Sequence, residues 1–176
     1  MKYLIMCEGD NEKTIMNILL DHKLLTLEEN DLVGLRVYPS RQIDKTPMVK
    51  LELSHCTEKV TVYRIGDTLK DELKVKGYED KIVCVKKYCT KPELERLVII
   101  AAGLEKKYQK VKNNMQPKQF AKNEKIVINN SKYRNASEFF KEAFEDDVEL
   151  LVNAIKEYKR IGNHTPEERY LADLLK

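Results

Sequence analysis

The chain opens on Tyr3-Leu4-Ile5-Met6-Cys7, an unbroken apolar run of strand length that stops at Glu8-Gly9-Asp10. A strand with one wet face alternates apolar and polar residues. A continuous run instead suits a strand covered on both faces, the situation of a parallel sheet with helices above and below. After the turn the period becomes helical, with Ile15, Ile18 and Leu19 on one face and Met16 and Leu20 beside them.

The rest of the chain repeats the alternation. Leu32 to Tyr38 reads as a second strand ended by Pro39, and Met48 to Cys56 as a short helix behind Pro47. Val60 to Ile65 is β-branched and alternating, a strand that runs into Gly66-Asp67-Thr68, and Lys81 to Val85 is a further strand. From Pro92 to Leu104, Leu94, Leu97, Val98, Ala101 and Ala102 recur at helical spacing, and Glu95 falls at the edge of their stripe, where it would be partly buried. Residues 105–125 lose apolar content and gather lysines, which reads as a boundary or surface excursion. Ser137 to Phe144 is helical, as is the stretch carrying Val148, Leu151, Val152 and Ile155. A last helix is predicted from Thr165-Pro166-Glu167-Glu168, a capping box with proline at the first helical position. Strands alternating with helices predict an α/β fold with a largely parallel sheet, an α/β core over 1–104 and a basic connector with a helical extension packed on it over 105–176.

Composition narrows the class without giving a function. No stretch approaches the roughly 18 apolar residues of a membrane span, and MKYLIMCEGD turns acidic too soon for a secretory signal, so a soluble, cytoplasmic protein without membrane contact is expected. The 32 Lys and Arg against 29 Asp and Glu leave a net charge of +3, too little to mark a nucleic-acid binder by itself. Cys7, Cys56, Cys84 and Cys89 lie far apart, and His22, His55 and His164 are equally scattered, which excludes a zinc-ligand pattern. Cys7 and Cys84 fall in strand-like runs and read as small buried hydrophobes.

In α/β sheets, ligands bind beyond the carboxyl ends of the strands. Glu8 directly follows the first strand, Asp67 follows the Val60 strand through Gly66, Asp71 and Glu72 lie one turn further on, and Glu12 sits in the first turn of the first helix. If the two strands are neighbours, these carboxylates face one cleft and raise one another's pKa unless a cation neutralises them. Mg²⁺ or Mn²⁺ would do so, and would polarise a phosphoryl oxygen or activate water. Each acid also has an ordinary role open to it. Glu12 suits the positive end of a helix, Asp67 can cap a short helix, Asp71 and Glu72 suit a solvated face, and Glu95 can pair with a nearby cation. Glu8 is hardest to explain that way, because Glu-Gly directly after a buried strand needs a reason.

The segment from Leu4 through Glu8-Gly9-Asp10-Asn11-Glu12 resembles the strand-E-G-x-x-E opening of Toprim domains, especially the OLD-like nucleases and the small RloB-like proteins of bacterial mobile and defence loci. Lys91-Pro92-Glu93-Leu94-Glu95-Arg96-Leu97 is similar to the P-x-[FL]-E-x-x-L segment of RloB-like proteins, and Ile65-Gly66-Asp67 lies where Toprim domains carry the first aspartate of a D-x-D pair. The likeness spans roughly residues 1–104. It implies a Toprim-like, mostly parallel sheet with flanking helices and a Mg²⁺- or Mn²⁺-dependent phosphoryl-transfer enzyme, a nuclease of a phage, plasmid or defence context. On that resemblance Glu8 is the catalytic acid or base and a metal ligand, Asp67 is a metal ligand, and Glu12 and Glu95 are ancillary. Leu69 occupies the position of the second aspartate, which leaves Asp71 as the next candidate ligand.

A phosphodiester substrate would call for positive charge, which Arg36, Arg41, Lys45 and Arg64 offer near the expected cleft. The lysine stretch, interleaved with Tyr108 and Phe120, either tracks a nucleic-acid backbone or is a solvated face. Tyr88, Tyr133 and Tyr158 read as core or rim residues. Two other functions stay open. One is a catalytically silent Toprim-like adaptor that binds a protein or nucleic-acid partner through the C-terminal helices; the other is a phosphodiesterase acting on a small nucleotide.

Overall fold

The computed structural model describes residues 1–67, 71–162 and 167–176. Its main sheet has five strands: β1 (Lys2–Cys7), β2 (Leu32–Pro39), β3 (Val60–Gly66), β4 (Ile82–Cys89) and β7 (Arg169–Tyr170). The spatial order is β2-β1-β3-β4-β7 and every neighbouring pair is parallel. From β1 the chain builds outward to β2 on one side and then to β3 on the other, so the order reverses between β1 and β3. Such a reversal opens a crevice at the carboxyl edge of a parallel sheet.

The central strands β1 and β3 are covered on both faces, which explains the unbroken apolar run of β1, whereas Val83, Cys84 and Val85 of β4 are exposed. Successive side chains point to opposite faces. Ile5, Cys7, Tyr63 and Ile65 join a cluster with Ile15, Met16 and Leu19 of α1 (Asp10–Asp21), and Leu4, Met6, Val60 and Val62 join another with Val49 and Leu53 of α2 (Pro47–His55). Each Leu, Ile or Val so buried contributes about 1.5–3 kcal/mol. In β2 the Gly34–Leu35 pair adopts positive φ, and pairing with β1 jumps from Tyr3↔Leu32 to Ile5↔Val37. This bulge bends the edge strand and leaves Leu35 exposed.

After β4 come α3 (Glu95–Ala101), α4 (Glu105–Gln109), α5 (Pro117–Asn123), the hairpin β5 (Val127–Ile128) and β6 (Ser131–Lys132), α6 (Ser137–Phe144) and α7 (Val148–Ile161). In α7, Leu151, Ala154, Ile155 and Tyr158 share one buried face, and Asp147 caps the start by accepting from Leu150 N at 3.2 Å. A single hydrophobic cluster runs from Ile5 to Leu174 through α3, α5, α6 and α7.

Several sequence expectations are corrected. The lysine-rich 105–125 stretch is not a surface excursion: α4 and α5 turn Tyr108, Phe120 and Ala121 into the core, with the two rings edge to face at 5.2 Å. The helix expected over 92–104 is shorter, ending where Gly103 takes a φ of +70°. β4 runs on past Val85 to Cys89, and Cys84 is exposed rather than buried. Thr165 and Pro166, the start of the expected last helix, lie outside the described residues. From Glu167 onward there is a turn, then β7 and a 3-10 helix, Leu171–Leu174. Tyr170, Leu171 and Leu174 are all buried, and Asp173 accepts from Tyr170 N at 2.7 Å, which fixes a tight turn in place of an α-helix. Among the described residues no helix is long and apolar enough to cross a membrane.

Candidate functional site

Glu8 extends β1 by one residue, its amide donating to Ile65 O at 2.8 Å. Its side chain is only 8% exposed. One carboxylate oxygen, Oε2, accepts from the Asp67 amide at 2.9 Å, and the other, Oε1, pairs with the Arg41 guanidinium. The approach of β1 and β3 at this point demands a glycine at 66. A Cβ there would stand 2.7 Å from Glu8 Cβ and closer still to Glu8 Oε2. Gly9 has extended backbone, and a Cβ on it would meet Glu12 Oε2 at 3.1 Å. The two glycines therefore let two carboxylates lie against the backbone at the sheet's carboxyl edge.

Glu12, in the first turn of α1, has a pKa raised by burial; its own backbone hydrogen bond opposes the shift, and the charges of Glu8, Asp67 and Glu95 add to it. These interactions place the four acids in one electrostatic neighbourhood. Glu95 begins α3 and is 4% exposed. Burial raises its pKa, while the Lys118 charge and a hydrogen bond from Tyr133 Oη at 3.1 Å hold part of that rise back. The nearby Thr90 amide donates to Gly66 O at 3.0 Å, yet Thr90 Oγ1 is buried with no hydrogen-bond partner among the described residues. A buried polar group without a partner costs about 1–3 kcal/mol.

The remaining candidates lie elsewhere. Asp71 turns to Arg64, which reaches both its carboxylate oxygens at 3.1 and 3.0 Å and its carbonyl at 2.6 Å. Burial alone would raise the Asp71 pKa; the Arg64 hydrogen bonds and charge, with Gln42, bring it below the usual value. Arg64 is only 2% exposed and also donates to Arg41 O at 3.3 Å, so its guanidinium serves the fold and is not presented to a ligand. Arg36 lies in the β2 bulge, its Nε donating to Gly34 O, rather than at the strand's carboxyl end. Arg41, 62% exposed, is the arginine of the three that pairs with Glu8. Leu69 lies outside the described residues.

Two participants escaped the sequence reading as site residues. Tyr133 binds Glu95 from a loop 38 positions away, with no local pattern to mark it. Gln42 spans two loops: its Nε2 donates to Asp71 Oδ2 at 2.8 Å and to Glu72 O at 2.9 Å, and its Oε1 accepts from Lys74 N at 3.0 Å.

Buried carboxylates such as Glu12 and Glu95, with pKa values raised by burial, hold a proton more readily than exposed ones or attract a hard cation. Oxygen donors of this kind suit Mg²⁺ or Mn²⁺. As placed, Glu8 is committed to Arg41 and the Asp67 amide, and among the described residues no three His, Cys, Asp or Glu side chains stand together at metal-holding distances. No family model, curated protein or solved structure matches the chain.

Proposed function

We propose that the chain is a Toprim-like phosphoryl-transfer enzyme dependent on Mg²⁺ or Mn²⁺, with a nuclease activity centred on Glu8. The observation that carries the reading is the placement of Glu8, Glu12 and Asp67 at the strand-order reversal, where burial, with the charges of Glu8, Asp67 and Glu95 added to it, raises the pKa of Glu12. Glu8 and Asp67 would hold the metal, with Glu12 and Glu95 beside them. Bound there, the ion would supply charge stabilisation for a phosphoryl oxygen and a water of lowered pKa. The chain's own contribution is positional. Gly66 brings Glu8 against β3, the Asp67 amide fixes one carboxylate oxygen, and Tyr133 orients Glu95. Arg41, exposed and adjacent, is placed to meet a phosphate.

The test is a substrate panel of single- and double-stranded DNA, RNA and cyclic or linear dinucleotides, with Mg²⁺ or Mn²⁺, comparing the natural chain with Glu8→Gln and Asp67→Asn. Metal-dependent cleavage lost in both variants supports the reading; cleavage that survives Glu8→Gln overturns it. The engagement of Asp71 by Arg64 favours a second reading, a catalytically silent adaptor that keeps the sheet and binds a partner. Calorimetry separates the two, because an adaptor would bind Mn²⁺ no better than its Asp67→Asn variant.

A further inference from the structure

The loop that carries Arg41 has a second side. Ile43 and Asp44 of that loop, Lys50 of α2, and Lys74, Lys76 and Tyr78 beyond β3 border a cavity of about 430 Å³. Its floor is apolar: Ile43 is buried in the α2-side core and Tyr78 packs against that core. Its rim is cationic. Lys50, Lys74 and Lys76 are all exposed, and none of them forms an ion pair or a side-chain hydrogen bond among the described residues. Asp44 is the one acid among the residues lining it.

Three like charges come from two separate segments, and local structure fixes the backbone that carries two of them, Lys74 and Lys76. The Lys74 amide is fixed by Gln42 Oε1, the Tyr78 amide donates to Val75 O at 2.8 Å, and Gly77 turns the chain with a φ of +86°. A Cβ on Gly77 would meet nothing within 4 Å, so the glycine is needed for its backbone conformation and the space beside it is open. The first turn of α2 adds to the positive field. It contains no acidic residue, and Thr46, which precedes it, directs its hydroxyl to Ser40 instead of capping the helix. An apolar floor beneath converging cations suits a ligand with a planar or sugar part and phosphate groups.

We propose that this cavity is a phosphate-binding site, in which Lys50, Lys74 and Lys76 hold the phosphates of a nucleotide or of a nucleic-acid backbone over Ile43 and Tyr78. The inference rests on the phosphoryl-transfer reading for its role, as a holder of the unreacting part of the substrate, while the binding itself needs no metal. Gln42 links its wall to the Arg64–Asp71 pair, so the cavity and the carboxylate cluster flank the same short loop.

The experiment uses the full chain in EDTA with a short labelled single-stranded oligonucleotide, read by fluorescence anisotropy across a salt series, and with ATP and inorganic phosphate read by calorimetry. Lys50→Gln/Lys74→Gln/Lys76→Gln removes three phosphate contacts. Its log affinity against log salt should be shallower by about 2, so a fourfold rise in salt costs the natural chain roughly 16 times more affinity than it costs the variant. Lys106→Gln/Lys110→Gln/Lys112→Gln, which alters exposed lysines of the other basic stretch, should leave the slope unchanged, and equal melting temperatures verify that both variants fold. Heat from ATP or phosphate that vanishes in the first variant assigns the site to small phosphates; binding of the oligonucleotide alone assigns it to the polymer. Wild-type affinity and slope in the first variant overturn the proposal, as does a natural chain that binds none of the three probes. Because metal is absent, binding lost with Lys50, Lys74 and Lys76 stands even if Glu8→Gln leaves cleavage intact.

Discussion

Replacing Asp71 by alanine will destabilise the protein more than replacing Arg64 by methionine, although Arg64 is the buried partner. The guanidinium is 2% exposed and the Asp71 side chain 50% exposed. Removing Asp71 strands a full positive charge in the interior with, among the described residues, only the carbonyls of residues 71 and 41 for company, and losing one partner of a buried pair costs about 3–5 kcal/mol. Removing Arg64 instead leaves a half-exposed carboxylate that water can serve, and the thioether fills much of the space. The loss then approaches that of one or two hydrogen bonds, about 1–2 kcal/mol. The double variant should unfold like Arg64→Met alone, a coupling of roughly 3–5 kcal/mol. Urea denaturation of the four proteins at neutral pH measures this, and Asp71→Asn, which keeps an acceptor, should fall between the two singles. The direction with pH also follows. Since the folded pKa of Asp71 is depressed, the pair's contribution is complete above the ordinary aspartate value of about 3.9 and is lost as pH falls through the folded value. If Arg64→Met is the more costly substitution, or the two effects add, Arg64 is not held as a buried charge and the reasoning fails.

Glu12→Gln should raise the melting temperature at neutral pH by a few degrees. The folded pKa of Glu12 is raised by burial and by Glu8, Asp67 and Glu95, so the natural chain loses stability as pH climbs from about 4.3 through that raised value, and the variant should lack this decline in a pH series of thermal melts. Tyr133→Phe removes the hydroxyl that serves Glu95, and urea unfolding should show a loss of about 1–3 kcal/mol. Phe139→Ala, at a position with no exposed surface, should cost about 3–5 kcal/mol and shift one common transition seen by both circular dichroism and tyrosine fluorescence; two separate transitions would contradict a core shared by the sheet and the C-terminal helices.

What the sequence displayed well is what repeats locally. β1 and β3 are continuous or β-branched runs, and α6 and α7 carry apolar residues at steps of three and four, so each was legible from its own residues. β7 was not, because two residues beside Tyr88 and Cys89 leave no period to detect. α4 and α5 were hidden by composition: their lysines dominate, while the burial rests on Tyr108, Phe120 and Ala121, too sparse to form a stripe. The β5–β6 hairpin did carry a signal, Asn129-Asn130, both at positive φ in a two-residue turn. The position of Glu8 and Asp67 just beyond β1 and β3 was readable because strand ends can be seen in sequence. Arg64 was not, since a charged residue in a strand reads as solvent-facing until the opposing loops are known.

The two arginines near the carboxylates illustrate why position in the fold outranks residue type. Arg64 cannot leave Asp71 without exposing a buried charge to unfavourable surroundings, so it fixes the loop that contains Arg41 and Gln42. Arg41 can part from Glu8 at little cost to itself, being 62% exposed, whereas Glu8 at 8% would be left with a charge that water reaches poorly. That asymmetry makes Arg41 the more readily replaced member of the pair. Under the phosphoryl-transfer reading, a cation that took over at Glu8 would free the Arg41 guanidinium for a phosphate oxygen at the same edge. The Arg64 brace would meanwhile hold Gln42, and with it the wall of the lysine-rimmed cavity, in place. Arg41→Ala should therefore bind Mn²⁺ more tightly than the natural chain while turning over a nucleic-acid substrate more slowly, a pairing of effects that a purely structural salt bridge would not produce.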